Sequence, residues 1–230
     1  MLMTSIRQNE AELPDKEGVI KYRVEHIAAE LEDALTSVCA SERISEILEL
    51  VTELDEVRTR LHDLNLIGSM PTGIGFGNLS LYLAHGAFII SGSGTGEPRV
   101  LGRNGYCLVR KACPERNQVC STGPMRASSE SMTHAAVYSA FPMLSDNESS
   151  PIRCVIHVHS PALFSRYLPV APQTPVTAAY GTPELAQAVR RLVSSMNVKS
   201  GFFVLAGHQD GIVFFGPTIK CTWENILSAL

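Results

Sequence analysis

At Met70 the texture of this 230-residue chain changes, and that change constrains the fold more than any other feature. Before it, apolar residues recur at helical spacing; after it, they fall into short runs broken by glycine. Val24, Ile27, Leu31, Ala34, Leu35 and Val38 read as one helix. A longer helix is expected to start at Ser41, whose hydroxyl can cap it, to carry Ile44, Ile47, Leu48, Val51, Leu54, Leu61 and Leu64, and to stop at Gly68. Met1 to Gly18 holds Pro14 and several charges without periodicity, which predicts a frayed terminus. Strands are expected at Leu79–Ala84, Ala87–Ser91, Tyr106–Arg110, Val119–Thr122, Ile152–His159, Phe202–Ala206 and Ile212–Phe215. Between them lie helices at Ser129–Phe141, at Pro183–Met196 with Thr182 as N-cap, and at Ile219–Leu230. Strands interleaved with helices predict an α/β fold layered around one sheet, with a helical extension over residues 1–54 and one domain over 55–230.

Composition narrows the class of partner. The formal net charge of -4 and the absence of any Lys/Arg cluster argue against a nucleic-acid or anionic-membrane surface. Six cysteines show no Cys-x-x-Cys pair, and a chain this long needs no disulfide framework, so they are expected to be reduced. No run approaches the roughly 20 apolar residues of a membrane span, and the first 16 residues have no apolar core. A cytoplasmic protein acting on a small molecule is the expectation.

The chemistry centres on Ile156-His157-Val158-His159-Ser160. Strand side chains alternate, so Val155, His157 and His159 share one face while Cys154, Ile156 and Val158 share the other. The run stays apolar until its end and then presents two imidazoles, as a buried strand delivering ligands to a cleft would. The same residues could equally be two hydrogen-bonded histidines. A catalytic zinc needs a third protein ligand, and His208 is the best placed, in the turn-rich Ala206-Gly207-His208-Gln209-Asp210-Gly211. Against this stands a merely solvated loop histidine. His26 and His62 fall on helices expected at the surface, and His85 precedes Gly86 in a turn.

Ser128-Ser129-Glu130 marks a helix start, where free amides and hydroxyls favour an anion. Glu130 could cap that helix or project into a cleft as a general base. His134 and Tyr138 follow at one-turn intervals on the same face, a stripe suited to supporting a site. Two glycine-rich segments, Gly73-Ile74-Gly75-Phe76-Gly77-Asn78 and Ser91-Gly92-Ser93-Gly94-Thr95-Gly96, could bring backbone amides close to a phosphate or form ordinary turns. Neither matches a P-loop or a dinucleotide fingerprint.

In order, Gly77-Asn78-Leu79-Ser80, Ile90-Ser91-Gly92-Ser93-Gly94, Ser128-Ser129-Glu130 with His134 and Tyr138, His157-Val158-His159-Ser160, Tyr180-Gly181-Thr182-Pro183-Glu184 and Gly207-His208 resemble the motif series of the class II aldolase/adducin superfamily. The similarity runs from about Leu61 to Leu230. It implies a three-layer α/β/α sandwich around a largely antiparallel sheet. It implies that His157, His159 and His208 bind zinc or another divalent metal, that Glu130 is the acid/base, and that Gly77, Asn78, Ser93, Gly94, Ser128 and Ser129 hold a substrate phosphate. The activity implied is retro-aldol cleavage of a small ketose phosphate through a metal-stabilised enediolate, in a homotetramer. Epimerisation or dehydration at the same metal, and a non-catalytic adducin-like scaffold or binding protein, are the alternatives.

Overall fold

The computed structural model describes residues 20–141 and 150–230; the terminus expected to fray lies outside them. The strands are β1 (Arg23–Ala28), β2 (Gly68–Ser69), β3 (Gly75–Phe76), β4 (Asn78–Ala84), β5 (Ala87–Ser91), β6 (Tyr106–Cys113), β7 (Gln118–Gly123), β8 (Cys154–His159), β9 (Gly201–Val204) and β10 (Gly211–Gly216). The helices are α1 (Leu31–Leu35), α2 (Ser41–Asp63), α3 (Ser131–Tyr138), α4 (Pro161–Tyr167), α5 (Pro183–Met196) and α6 (Ile219–Ala229). Eight strands form one sheet in the order β1-β7-β6-β5-β4-β8-β10-β9, and β2 pairs with β3 in a separate hairpin. Every pairing in the large sheet is antiparallel except β1 with β7.

Two apolar clusters, one on each face, make this a three-layer α/β/α sandwich. Leu79, Leu81, Ile89, Leu108, Cys154, Ile156, Val158 and Phe214 pack under α1, α2 and α6. Tyr82, Phe88, Ile90, Val109, Val155, Val213 and Phe215 pack under α3 and α5. The alternation read in β8 is therefore real: its odd and even residues enter different cores.

Local chemistry explains most boundaries. Thr182 and Thr218 accept hydrogen bonds from the amides of Leu185 (3.2 Å) and Cys221 (3.0 Å), capping α5 and α6. Ser160 caps α4 by accepting from Leu163 N at 3.2 Å, with Pro161 in the first turn. Its seven residues carry too little periodicity to announce a helix in the sequence.

Three sequence readings need correction. Residues 23–28 are a strand, not the first turns of a helix; Val24 and Ile27 fit both periods, and pairing with β7 settles the choice. Ser41 is the first residue of α2 and caps nothing, the N-cap position being Ala40. The helix ends at Asp63 because Asn65 adopts a left-handed φ of 55°, well before Gly68. Helix α2 runs unbroken through residue 54, and β1 lies in the same sheet as the strands beyond it. No helix among the described residues is long and apolar enough to cross a membrane.

Candidate metal centre

β8 lies between β4 and β10 and is buried throughout, so its end is held rigidly. His157 and His159 close it on the face of Val155. His208 arrives from the link between β9 and β10, a tight turn in which its amide donates to Leu205 O (2.8 Å) and its carbonyl accepts from Gly211 N (3.0 Å). Gly211 stands opposite His159 in the β8–β10 register, where a Cβ would sit 3.1 Å from His157 Nε2. A side chain at 211 would crowd the cluster.

The three imidazoles form a near-equilateral group, with ring centroids 4.8 Å (157–159), 5.1 Å (157–208) and 4.8 Å (159–208) apart. One ligating atom from each lies within 4.8 Å of the others. Ligands of a tetrahedral zinc stand roughly 3.4 Å apart, as bonds of 2.0 to 2.1 Å require, so modest ring rotations would close the set. Neither ring nitrogen of His157 has a hydrogen-bond partner, although the residue is 1% exposed. Burial foremost, then the neighbouring His159 and His208 rings, hold its pKa well below the usual histidine range. A neutral, buried, unpartnered imidazole is the state in which histidine binds a metal. The cluster could hold a divalent metal ion.

Glu130 occupies the N-cap position of α3, but its carboxylate makes no capping bond. It turns instead toward the histidines, with Oε1 3.5 Å from His208 Nδ1. At 2% exposure neither carboxylate oxygen accepts a hydrogen bond. Of the two readings of Glu130, projection into the cleft is the one adopted. The turn before α3 is held from elsewhere: Tyr22 OH donates to Ser128 O (2.6 Å), and Tyr180 OH donates to Ser129 Oγ. The Tyr180 ring also packs edgewise on His208 at 4.7 Å.

The remaining candidates come together from three loops. Gly92 bridges to Ala127, and Ser93 N donates to Arg126 O (2.9 Å), which sets the Ser93–Gly94 turn against the Ser128–Ser129 turn. Asn78 pairs with His157 across β4 and β8, and so faces the same side of the sheet. Gly77 precedes it at φ 78°, where a Cβ would strike Ile67. His134 on α3 reaches back to Asn78 Oδ1 (2.6 Å) and Ser80 Oγ (2.6 Å). His26 lies on β1, with Nδ1 3.0 Å from Ser121 Oγ, and His62 and His85 are likewise remote from the cluster in sequence and contacts. Tyr22 carried no signal in the sequence; Tyr180 stood in a quoted motif without a role.

The family profile described as Class II Aldolase and Adducin N-terminal domain matches residues 69–229, and the chain belongs to that family. Similar solved structures are YgbL from Klebsiella pneumoniae and YgbL from Escherichia coli, each described as a candidate aldolase, epimerase or decarboxylase. The first is 19% identical with a TM-score of 0.54, over 78% of this chain and 84% of that one. The second is 17% identical with a TM-score of 0.54, over 79% and 84%. At this identity the likeness is one of fold. No curated protein matches the chain.

Proposed function

We propose that this protein is a metal-dependent lyase that cleaves a small ketose phosphate by a retro-aldol reaction. The observation that carries the reading is the cluster of three buried histidines, one of them 3.5 Å from a buried carboxylate that accepts no hydrogen bond. Buried polar groups are normally hydrogen-bonded, and a buried carboxylate that accepts no hydrogen bond is costly unless a cation or substrate completes it.

His157, His159 and His208 would hold the metal, zinc being the best match to three imidazoles. A divalent ion so bound supplies Lewis acidity toward carbonyl and hydroxyl oxygens without losing its charge to the ligands. Glu130 takes the proton from the substrate hydroxyl as the carbon-carbon bond breaks, and returns a proton to carbon as the ketone product forms. Gly77, Asn78, Ser93, Gly94, Ser128 and Ser129 bind the phosphate, which fixes the reacting carbons against Glu130. Tyr22 and Tyr180 keep the Ser128–Glu130 turn in place. Epimerisation and decarboxylation, part of the description of YgbL, need the same activated carbonyl. Assembly into a homotetramer and a cytoplasmic location complete the proposal.

Incubation of zinc-loaded protein with a panel of ketose phosphates tests it. Aldehyde release from at least one, absent in Glu130→Gln, is expected. Stoichiometric zinc with no turnover of any member would remove the lyase reading.

A further inference from the structure

The buried chain of hydroxyls and imidazole behind Asn78 has a determined direction. Tyr138 OH lies 2.6 Å from Ser80 Oγ, Ser80 Oγ lies 2.6 Å from His134 Nδ1, and His134 Nε2 lies 2.6 Å from Asn78 Oδ1. Ser80 and His134 are fully buried, and Tyr138 is 5% exposed. Among the described residues the Tyr138 hydroxyl has one side-chain partner, the Ser80 oxygen, besides a backbone hydrogen bond with Val155. If the phenol donates to Ser80, then Ser80 donates to Nδ1, the ring carries its proton on Nε2, and Asn78 must answer with its carbonyl oxygen. Any other arrangement strands a hydroxyl hydrogen of Tyr138 or Ser80 in the core, and unsatisfied buried donors are strongly disfavoured. Burial pushes the His134 pKa down to about 3, which keeps the ring neutral, as the chain of bonds requires. Asn78 is 6% exposed, and among the described residues the hydrogen bond recorded for its side chain is that of Oδ1 with His134.

We infer that Tyr138, Ser80 and His134 are positioning residues that set the polarity of Asn78, locking its amide so that the NH2 group, and not the carbonyl, faces the cleft beside His157. Asparagine is ambivalent: turned one way it receives an anion, turned the other it repels one. The relay removes that choice and commits this end of the site to an anionic oxygen group. The inference rests on the phosphate reading for its ligand, but not for its geometry.

Two measurements on metal-free protein test it and separate the two claims. With 15N-labelled histidine, the His134 resonances, identified by their loss in His134→Gln, should report a neutral ring protonated at Nε2. Protonation at Nδ1 overturns the inference whatever the ligand. Binding of inorganic phosphate, by calorimetry, should weaken roughly tenfold in Ser80→Ala, which releases the ring to invert, and persist in Ser80→Thr, which keeps the hydroxyl. Asn78→Asp should abolish it. Zinc uptake by the three histidines should be equal in all four proteins, which a general loss of structure would not allow. Equal phosphate affinity in Ser80→Ala and wild type overturns the inference. Wild-type protein that binds no phosphate removes the phosphate reading instead, and the ring tautomer alone then decides the relay.

Discussion

Two buried polar clusters in this molecule are built to opposite rules. Around Asp55 and Arg58 of α2, both carboxylate oxygens and both terminal guanidinium nitrogens are engaged. The Arg58 guanidinium, 1% exposed, donates to the carbonyls of Thr95 (2.6 Å), Gly96 (3.4 Å), Pro98 (2.8 Å) and Arg99 (3.0 Å). Asp55 accepts from Tyr106 OH (3.0 Å), Leu101 N (3.4 Å) and Gly102 N (3.0 Å). The carboxylate oxygens of Glu130 and the ring nitrogens of His157 are equally buried and make no hydrogen bond. The first cluster is finished by the protein itself and pins the loop that follows the Ser93–Gly94 turn. The second is left open, as the proposed metal and substrate would require. That contrast, more than the presence of histidine, distinguishes a structural charge cluster from a site.

Breaking each cluster should therefore give opposite results, and the largest effect belongs to the metal. Wild-type protein should bind about one zinc per chain with a marked rise in Tm, since structural zinc sites contribute on the order of 10 kcal/mol. His159→Ala should lose both the zinc and the rise while its metal-free Tm changes little. Elemental analysis and paired melts decide this, and equal zinc in the two proteins would dissolve the comparison. Next in size, Arg58→Ala should cost about 3 to 5 kcal/mol in urea unfolding, because it leaves four carbonyls without their donor and removes the positive charge near Asp55. Zinc stoichiometry should survive that change.

Glu130→Gln sharpens the contrast from the other side. Turnover should fall by roughly a hundredfold or more, equivalent to about 2.7 kcal/mol of barrier. Stability without metal should hold or rise, because the substitution removes a buried charge that no donor satisfies. A loss of stability like that of Arg58→Ala would mean that Glu130 is a structural residue.

The same contrast explains what the sequence could reveal. The candidate site was readable wherever it is local, as with His157-Val158-His159 on one strand and Ser128-Ser129-Glu130 on one turn, and so was the start of α5 at Thr182-Pro183. The large sheet was readable from β4 to β10 for the same reason, each strand being a short apolar run between turn residues. What could not be read depends on partners far along the chain. β1 is a strand because β7, beginning at Gln118, offers it an edge, and its own residues also fit a helix. Tyr22 belongs to the site through Ser128, 106 positions away. Asp55 and Arg58 are buried on α2 only because the loop after Gly92 closes over them. No local pattern announces such contacts, because the energy that fixes them is tertiary.

The smallest effect tests whether buried neutral histidine behaves differently from buried permanent charge. His134 is held neutral down to about pH 3 by burial, against an ordinary value of 6.5. Above pH 6.5 neither the folded nor the unfolded chain binds a proton there, so the stability is whole. Below 6.5 the unfolded chain takes a proton that the folded chain refuses, and stability falls with pH at about 1.4 kcal/mol per unit, or about 2 kcal/mol by pH 5. His157, also depressed, adds to the loss in the same window. Metal-free His134→Gln should show a shallower slope than wild type between pH 7 and pH 5 in urea unfolding. Arg58 keeps its charge throughout that range. Arg58→Ala should therefore run parallel to wild type, displaced by a constant amount. A His134→Gln curve that also runs parallel would show that His134 titrates alike in the folded and unfolded chain, and that its burial does not govern its charge.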